Sequence, residues 1–448
     1  MIFRAYDIRG TVGEDLTTDI AEKIGRAFGS EMGGAPFVLV GRDNRLSSAA
    51  LAEALMSGIR DSGLHTIEIG EVATPILYHA SVTNGSCPAV MVTGSHLPPD
   101  QNGFKITLGL DPFFGDDLQR LRGRIERDDY ASGKGEHRLD EHAASRYLGD
   151  LAGRFTNAQK PLTILIDAGN GMAGLFAPTL IHYMGHDIIE LYCESDGTYP
   201  HHLADPFEEE NLLDAKAMLL MKNADLALVF DGDADRLGMI DGLGYSHATD
   251  RLLIPLVWDI LRRNPGATIV TDSLVSSVLI ETIKAAGGIP LMWKSGHSNI
   301  KNKMKEVRAP IALETSGHVF IADDYYGYDD GMYTGMRMVE LLSRQHTAPL
   351  AEIMAAIPRL HTTPQFRPKC PEDKKQAVIQ AIAEHFKDYD LNLVDGVRVT
   401  KPEGWFIVRA SNTEAKLSLR FEGQDEDALQ GMVGEVRQIL EKQAIVLM

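Results

Sequence analysis

A thrice-repeated order of apolar strands restricts most strongly what this chain can fold into. "PFVLVGRD" (36–43), "LTILIDAGNG" (162–171) and "ATIVTDSLVS" (267–276) have buried-strand character, and each ends in an aspartate and a turn before a helix-like segment. A second apolar strand follows each helix, in "HTIEIGEV" (65–72), "HDIIELYC" (186–193) and "IPLMWKSG" (289–296). A third then runs directly into a polar, glycine-containing loop, in "PAVMVTGSH" (88–96), "ADLALVFDGD" (224–233) and "APIALETSGH" (309–318). Alternating strands and helices pair their strands in parallel and cover both faces with helices. The chain is therefore predicted to be α/β, with three tandem similar α/β domains of mixed, mostly parallel sheets. Ligands gather at the carboxyl ends of such strands, where the three loops stand.

At 448 residues the chain is too long for one core. The repeats are followed by "IPRLHTTPQFRPKCPEDKK" (357–375), whose Pro358, Pro364, Pro368 and Pro371 rule out a helix or a central strand and suggest a linker. Beyond it, helical patterns near 374–389 and 425–442 flank short strands, which reads as a C-terminal α+β domain. The expected domains are 1–145, 146–250, 251–358 and 359–448.

A formal charge of -19, from 44 Lys+Arg against 63 Asp+Glu, argues against a nucleic-acid or anionic-membrane surface. It leaves room for a small anionic substrate if positive groups are focused in a cleft. Cys87, Cys193 and Cys370 are scattered and odd in number, so no disulfide framework is expected. Arg4, Asp7 and Arg9 interrupt the N-terminus where a signal peptide would be apolar, and no apolar run of about 18 residues occurs. The expectation is a cytoplasmic protein.

Each loop carries different chemistry. In "TGSHLPPDQNGFK" (93–105) Ser95 lies just past a strand, Pro98 and Pro99 stiffen the turn, and Lys105 follows. Such a serine is either an exposed nucleophile or a turn residue bonded to its own backbone. Thr93 and Leu97 exclude a G-x-S-x-G elbow, and no G-x-x-x-x-G-K-[ST] loop is present. "VFDGDADRLGMID" (229–241) sets Asp231, Asp233 and Asp235 at alternate positions and closes with Arg236. Carboxylates crowded this tightly need a cation, a proton or solvent. A calcium-binding EF-hand is excluded, because Arg236 stands where that loop requires Gly and Gly242 where it requires Glu. Gly232 and Ala234 let the backbone turn so that the carboxylates converge on a hard divalent ion; a solvated acidic turn is the alternative. "ETSGH" (314–318) offers Glu314, Ser316 and His318, either to sugar hydroxyls or as an ordinary polar turn. "RASNTEAK" (409–416) clusters Arg409, Ser411, Asn412 and Thr413, as a phosphate cradle or a polar hairpin.

Together with "FRAYDIRG" at the N-terminus, these loops, in this order, resemble the α-D-phosphohexomutases, and within them the bacterial phosphoglucomutase/phosphomannomutase branch. The resemblance implies an intramolecular phosphotransferase that interconverts hexose 1-phosphate and hexose 6-phosphate, of glucose and mannose. It implies a phosphoserine enzyme, with a hexose 1,6-bisphosphate as intermediate and activator. By this resemblance Ser95 carries the phosphoryl group, and Asp231, Asp233 and Asp235 with phosphorylated Ser95 hold Mg2+. Lys105, Arg236 and Arg9 are then the cations near the reacting group, and His96, His297, His318 and Lys105 are the candidates for proton transfer. Tyr6, His297, Glu314, Ser316, His318, Arg409, Ser411, Asn412 and Thr413 are implied substrate contacts. The partners expected are small-molecule hexose phosphates, with the chain acting as a monomer.

Some residues depart from the family pattern. Leu97 stands where the serine loop commonly has Asn, Leu313 where the sugar loop commonly has Gly, and Asp272, Ser273 and Leu274 where some bacterial relatives have a lysine. Phosphoglucosamine mutase chemistry and a metal-dependent sugar phosphatase are the alternatives.

Overall fold

The computed structural model describes residues 2–410 and 415–447. Its three repeats share one topology. In the second, Thr163–Asp167 pairs in parallel with Asp187–Leu191 on one side and Leu226–Phe230 on the other, and Leu237–Asp241 lies antiparallel beyond. In the third, Thr268–Asp272 sits between Ile289–Trp293 and Ile311–Leu313, with Val319–Ile321 antiparallel at the edge. The first has Phe37–Arg42 between His65–Glu71 and Pro88–Val92, with Gln101–Leu108 antiparallel. It is extended by Ile8–Thr11 and His137–Leu139 at its two edges.

The antiparallel fourth strand is absent from the sequence reading. Its cause is simple: the polar loops are too short to hold a crossover helix, so the chain must turn straight back. Each chemically distinctive loop is thus a hairpin at the carboxyl end of its sheet, held from both sides by strand pairing.

One apolar cluster runs from Leu39 and Ile76 through Ile164 and Leu228 to Ile311 and Met336, so the three repeats bury surface against one another. The C-terminal sheet is wholly antiparallel and packs its own core of Phe386, Phe406, Phe421 and Leu440 under Lys375–His385 and Glu426–Lys442. Residues of this domain also grip the third repeat through polar contacts. Arg398 donates to the carbonyls of Ser273 and Val275 at 2.8 Å, and Glu422 accepts from Ser277 N at 2.9 Å.

The proline-rich stretch departs from the expectation of a simple linker. His361–Thr362 pairs with Leu417–Gly423, and Phe366 continues the ladder opposite Leu419. Prolines fit here because this is a sheet edge, where a missing N–H breaks no central ladder. Cys87, Cys193 and Cys370 are buried free thiols. Among the described residues, no helix is long and apolar enough to cross a membrane.

Candidate active site

Ser95 follows Pro88–Val92 and takes a left-handed backbone conformation, φ 50°, costly for a residue with a Cβ. The cost is met by neighbours that leave the loop no other course. Buried Arg45 donates to four of its carbonyls: Ser95 at 2.8 Å, Leu97 at 2.6 Å, Pro98 at 2.5 Å and Gln101 at 3.0 Å. Asp43 accepts from Gly94 N at 3.0 Å and pairs with Arg45 at 3.4 Å. Gly94 must lack a side chain, because a Cβ there would lie 2.3 Å from the Arg45 guanidinium. Leu97 serves this loop through its carbonyl, which any side chain supplies, so its departure from the family pattern leaves the clamp intact.

The aspartate loop comes from the second repeat and meets the serine loop backbone to backbone. A Cβ on Gly232 would sit 2.4 Å from the Ser95 carbonyl oxygen, which explains the glycine between the first two acids. Ser95 Oγ donates to Asp231 Oδ2 at 2.7 Å and lies 3.2 Å from His96 Nδ1. Lys105, brought back by the antiparallel strand Gln101–Leu108, bridges Asp233 at 2.6 Å and Asp235 at 2.5 Å. Arg236 Nε holds Asp231 at 3.0 Å, and Thr74 Oγ1 donates to Asp233 at 2.5 Å.

All three carboxylates are buried, with ligand atoms within 4.8 Å of one another. Among the described residues the Oδ1 atoms of Asp233 and Asp235 have no hydrogen-bond partner. Burial and the neighbouring Asp235 push Asp231 up to about 7, and burial and Asp233 push Asp235 up to about 6. Burial opposes ionisation of Asp233 too, but Lys105 and Thr74 outweigh it and hold that carboxyl below its usual range. The same two acids overcome burial to keep Lys105 a firm ammonium. Orphaned buried oxygens and carboxyls forced towards protonation are what a hard divalent cation relieves, so the residues fit Mg2+.

The third repeat closes the cleft. Glu314 accepts from Gly296 N at 2.5 Å, and burial pushes its carboxyl up to about 7. Ser316 is exposed, with its carbonyl 3.4 Å from Arg236 Nη1. His318 Nδ1 lies 3.0 Å from Asp329, which Lys301 holds at 2.9 Å. His297 stacks on His318 with centroids 5.4 Å apart, and burial followed by the Lys301 charge drives its pKa well down. Burial, reinforced by Arg236, lowers His96 to about 2, so its ring is neutral. Arg9 pairs with Asp7 at 2.6 Å and donates to the Thr93 carbonyl at 3.1 Å. Tyr6 OH donates to the Ser295 carbonyl at 3.1 Å.

Arg409 reaches the same rim from the C-terminal domain, 3.0 Å from Ser295 Oγ and 3.1 Å from Asp395. Ser411, Asn412 and Thr413 lie outside the described residues. Asp43, Arg45, Thr74, Asp329 and Asp395 escaped the sequence reading. For Asp43 and Arg45 a signal existed: charges directly after a strongly apolar strand, at its carboxyl end, are expensive unless they are used.

Family profiles for phosphoglucomutase/phosphomannomutase α/β/α domains I, II and III match residues 1–131, 145–244 and 248–360, and that for the C-terminal domain matches 367–439. The chain is 44% identical over 434 residues to phosphomannomutase/phosphoglucomutase of Pseudomonas aeruginosa, spanning 96% of this chain and 93% of that protein. It is 39% identical over 446 residues to phosphoglucomutase of Neisseria gonorrhoeae, spanning 98% and 96%. The crystal structure of a phosphoglucomutase/phosphomannomutase family protein from Burkholderia thailandensis superimposes with a TM-score of 0.93 at 38% identity, covering 98% of this chain and 97% of that one. With four domain profiles matched in order along nearly its whole length, the chain belongs to the phosphoglucomutase/phosphomannomutase family of α-D-phosphohexomutases.

Proposed function

We propose that the chain interconverts the 1- and 6-phosphates of glucose and mannose, with Ser95 as phosphoryl carrier and hexose 1,6-bisphosphate as intermediate and activator. The observation that carries this reading is the 2.7 Å approach of Ser95 Oγ to Asp231, with Asp233, Asp235 and Lys105 gathered beside it. In one half-reaction the bond between phosphorus and Ser95 Oγ breaks as a bond to the free sugar hydroxyl forms. The bisphosphate then turns, and its other phosphoryl group returns to Ser95.

Such transfers depend on in-line placement and charge stabilisation. Lys105 and Arg236 supply fixed positive charge, with Arg9 nearby. Mg2+ held by Asp231, Asp233, Asp235 and a phosphoserine oxygen would neutralise charge on the moving phosphoryl group. His318, oriented through Nδ1 by Asp329, is the group assigned to take the hydroxyl proton, because Lys105 is held as an ammonium. Arg409 with Ser411, Asn412 and Thr413 grips the phosphate that is not reacting, helped by Tyr6 and His297. Glu314 and Ser316 read hydroxyls at carbons 3 and 4, where glucose and mannose are identical, so both sugars are accepted.

Incubation with glucose 1,6-bisphosphate followed by intact-mass and peptide mapping should find one phosphoryl group, on Ser95. Ser95→Ala should lose at least about three orders of magnitude in turnover, about 4 kcal/mol of transition-state stabilisation. A stable label confined to another residue, or near-normal turnover in Ser95→Ala, would refute the assignment.

A further inference from the structure

We infer that Arg236, Arg367 and Arg420 form a second anion subsite beside the sugar loop, which retains a phosphate of the hexose bisphosphate while the molecule turns between half-reactions. The inference rests on the mutase reading above, since only a bound bisphosphate has to exchange its ends.

A cavity of about 500 Å³ opens where the second, third and C-terminal domains meet, lined by these three arginines together with Ser316, Thr363 and Gln365. This is ample room for a small ligand. Arg236 joins the cavity to the reacting centre. Its Nε holds Asp231 at 3.0 Å, and Asp231 in turn holds Ser95, whereas its Nη2 is buried without a hydrogen-bond partner among the described residues. The Arg236 side chain thus lines the cavity with part of its donor set unused, and a buried guanidinium donor left unpaired is costly.

Strand register places the second cation. Arg409 pairs across the hairpin with Ser418, and Arg420 pairs with Ile407, two residues further along. Paired residues and their i+2 neighbours share a face, so Arg409 and Arg420 stand on the same face of the sheet, opposite the Phe406, Leu419 and Phe421 core. That face meets the third repeat: Arg409 at Ser295, and Arg420 at the Leu274 carbonyl, 3.0 Å away. The C-terminal domain therefore presents two arginines in succession along one side of the cleft.

The charge balance favours an anion. Asp205 also lines the cavity, 3.8 Å from Arg236, but Arg367 and Arg420 donate to the neutral oxygens of Gln365 and Leu274 and pair with no carboxylate among the described residues. Guanidinium groups suit phosphate oxygens through paired N–H donors, and Arg367 is exposed to the cavity side of the sheet edge with only Gln365 as its bonded partner among the described residues. When the bisphosphate lets go of both the Ser95 site and the Arg409 site, this wall keeps a phosphate from leaving the cleft. No bond forms or breaks there.

The test follows escape of the intermediate. Enzyme phosphorylated at Ser95 with labelled phosphate is given glucose 1-phosphate, and labelled glucose 1,6-bisphosphate released to solution is counted per glucose 6-phosphate formed. Arg367→Ala should raise that ratio at least threefold. The charge-retaining Arg367→Lys should stay below threefold, as should Arg437→Ala, an exposed arginine on the last helix. A rise of less than threefold in Arg367→Ala, or an equal rise in Arg367→Lys, overturns the subsite. Failure of the mutase reading looks different, because the wild-type protein itself would then yield neither bisphosphate nor 6-phosphate.

Discussion

Replacing Arg45 with methionine removes a cation committed to the backbone of the serine loop and to Asp43, and the structure predicts a large catalytic loss. The guanidinium bonds four main-chain carbonyls of the serine loop and pairs with buried Asp43. A hydrogen bond to a charged donor contributes about 1.5–3 kcal/mol, and stripping a partner from a buried charge costs about 3–5 kcal/mol. Pro98 is exposed and Leu97 partly so, so water replaces some of these bonds; that to the Ser95 carbonyl is buried and counts in full. A net loss of about 3–4 kcal/mol is expected. Because the lost contacts hold Ser95 in its left-handed conformation, most of the cost falls on in-line geometry, and kcat should drop by about two to three orders of magnitude. KM for glucose 1-phosphate should change far less, since the Arg409 site is untouched. The assay is steady-state kinetics at saturating bisphosphate together with the single-turnover rate of Ser95 phosphorylation. Arg45→Lys, which keeps the charge without the planar fork, should fall between. A kcat for Arg45→Met within tenfold of wild type would refute the reasoning.

Chelation of divalent ions should stop turnover reversibly, and Asp233→Asn should weaken Mg2+ binding at least about tenfold by calorimetric titration, because a charged oxygen ligand becomes a neutral amide; full activity in metal-free buffer would contradict the site. Glu314, pushed up to about 7 from 4.5 by burial, keeps its proton in the folded state at pH values where the unfolded chain has lost it. Stability therefore falls as pH rises from about 4.5 to 7, by about 3 kcal/mol in total. Glu314→Gln should show no such fall, so its melting temperature relative to wild type should climb between pH 5 and pH 8; parallel curves would count against the buried carboxyl. With Arg409 in the proposed distal grip, Arg409→Ala should raise KM for glucose 1-phosphate at least about tenfold and lower kcat as well, because such a grip would orient both half-reactions; an unchanged KM would refute that role.

The repeats were legible because their information is local. A run such as Leu162–Asp167 is apolar enough to be a buried strand whatever follows it, and the step from apolar to polar at Asp231 or Glu314 marks a strand end without reference to the rest of the chain. Crowded aspartates call for relief by a cation, a proton or solvent through Coulomb's law alone, so that demand could be stated before any partner was known. Mixed sheets were expected, but the fourth strand that runs antiparallel was not located, since a short apolar run does not announce its direction. The proline-rich segment was read as a linker because composition bars it from a central strand but says nothing about an edge.

What holds the site together was decided by contacts between residues far apart in the chain. Thr74 and Lys105 converge on Asp233, which lies in a different repeat, and nothing in either local sequence names that partner. Lys105 reaches the aspartates only because Gln101–Leu108 turns back alongside Pro88–Val92. Arg45 gains its role only where four carbonyls close around it, and the Glu314 carboxyl reaches about 7 only when neighbouring elements exclude water from it. The sequence by itself determined the three apolar strands of each repeat, the loops and the charges they carry, because hydrophobic period and charge spacing act over a few residues. Only the tertiary structure decided which charges pair, which backbone is held in strain and which carboxyls lose their water, because burial and electrostatic environment are properties of packed neighbours.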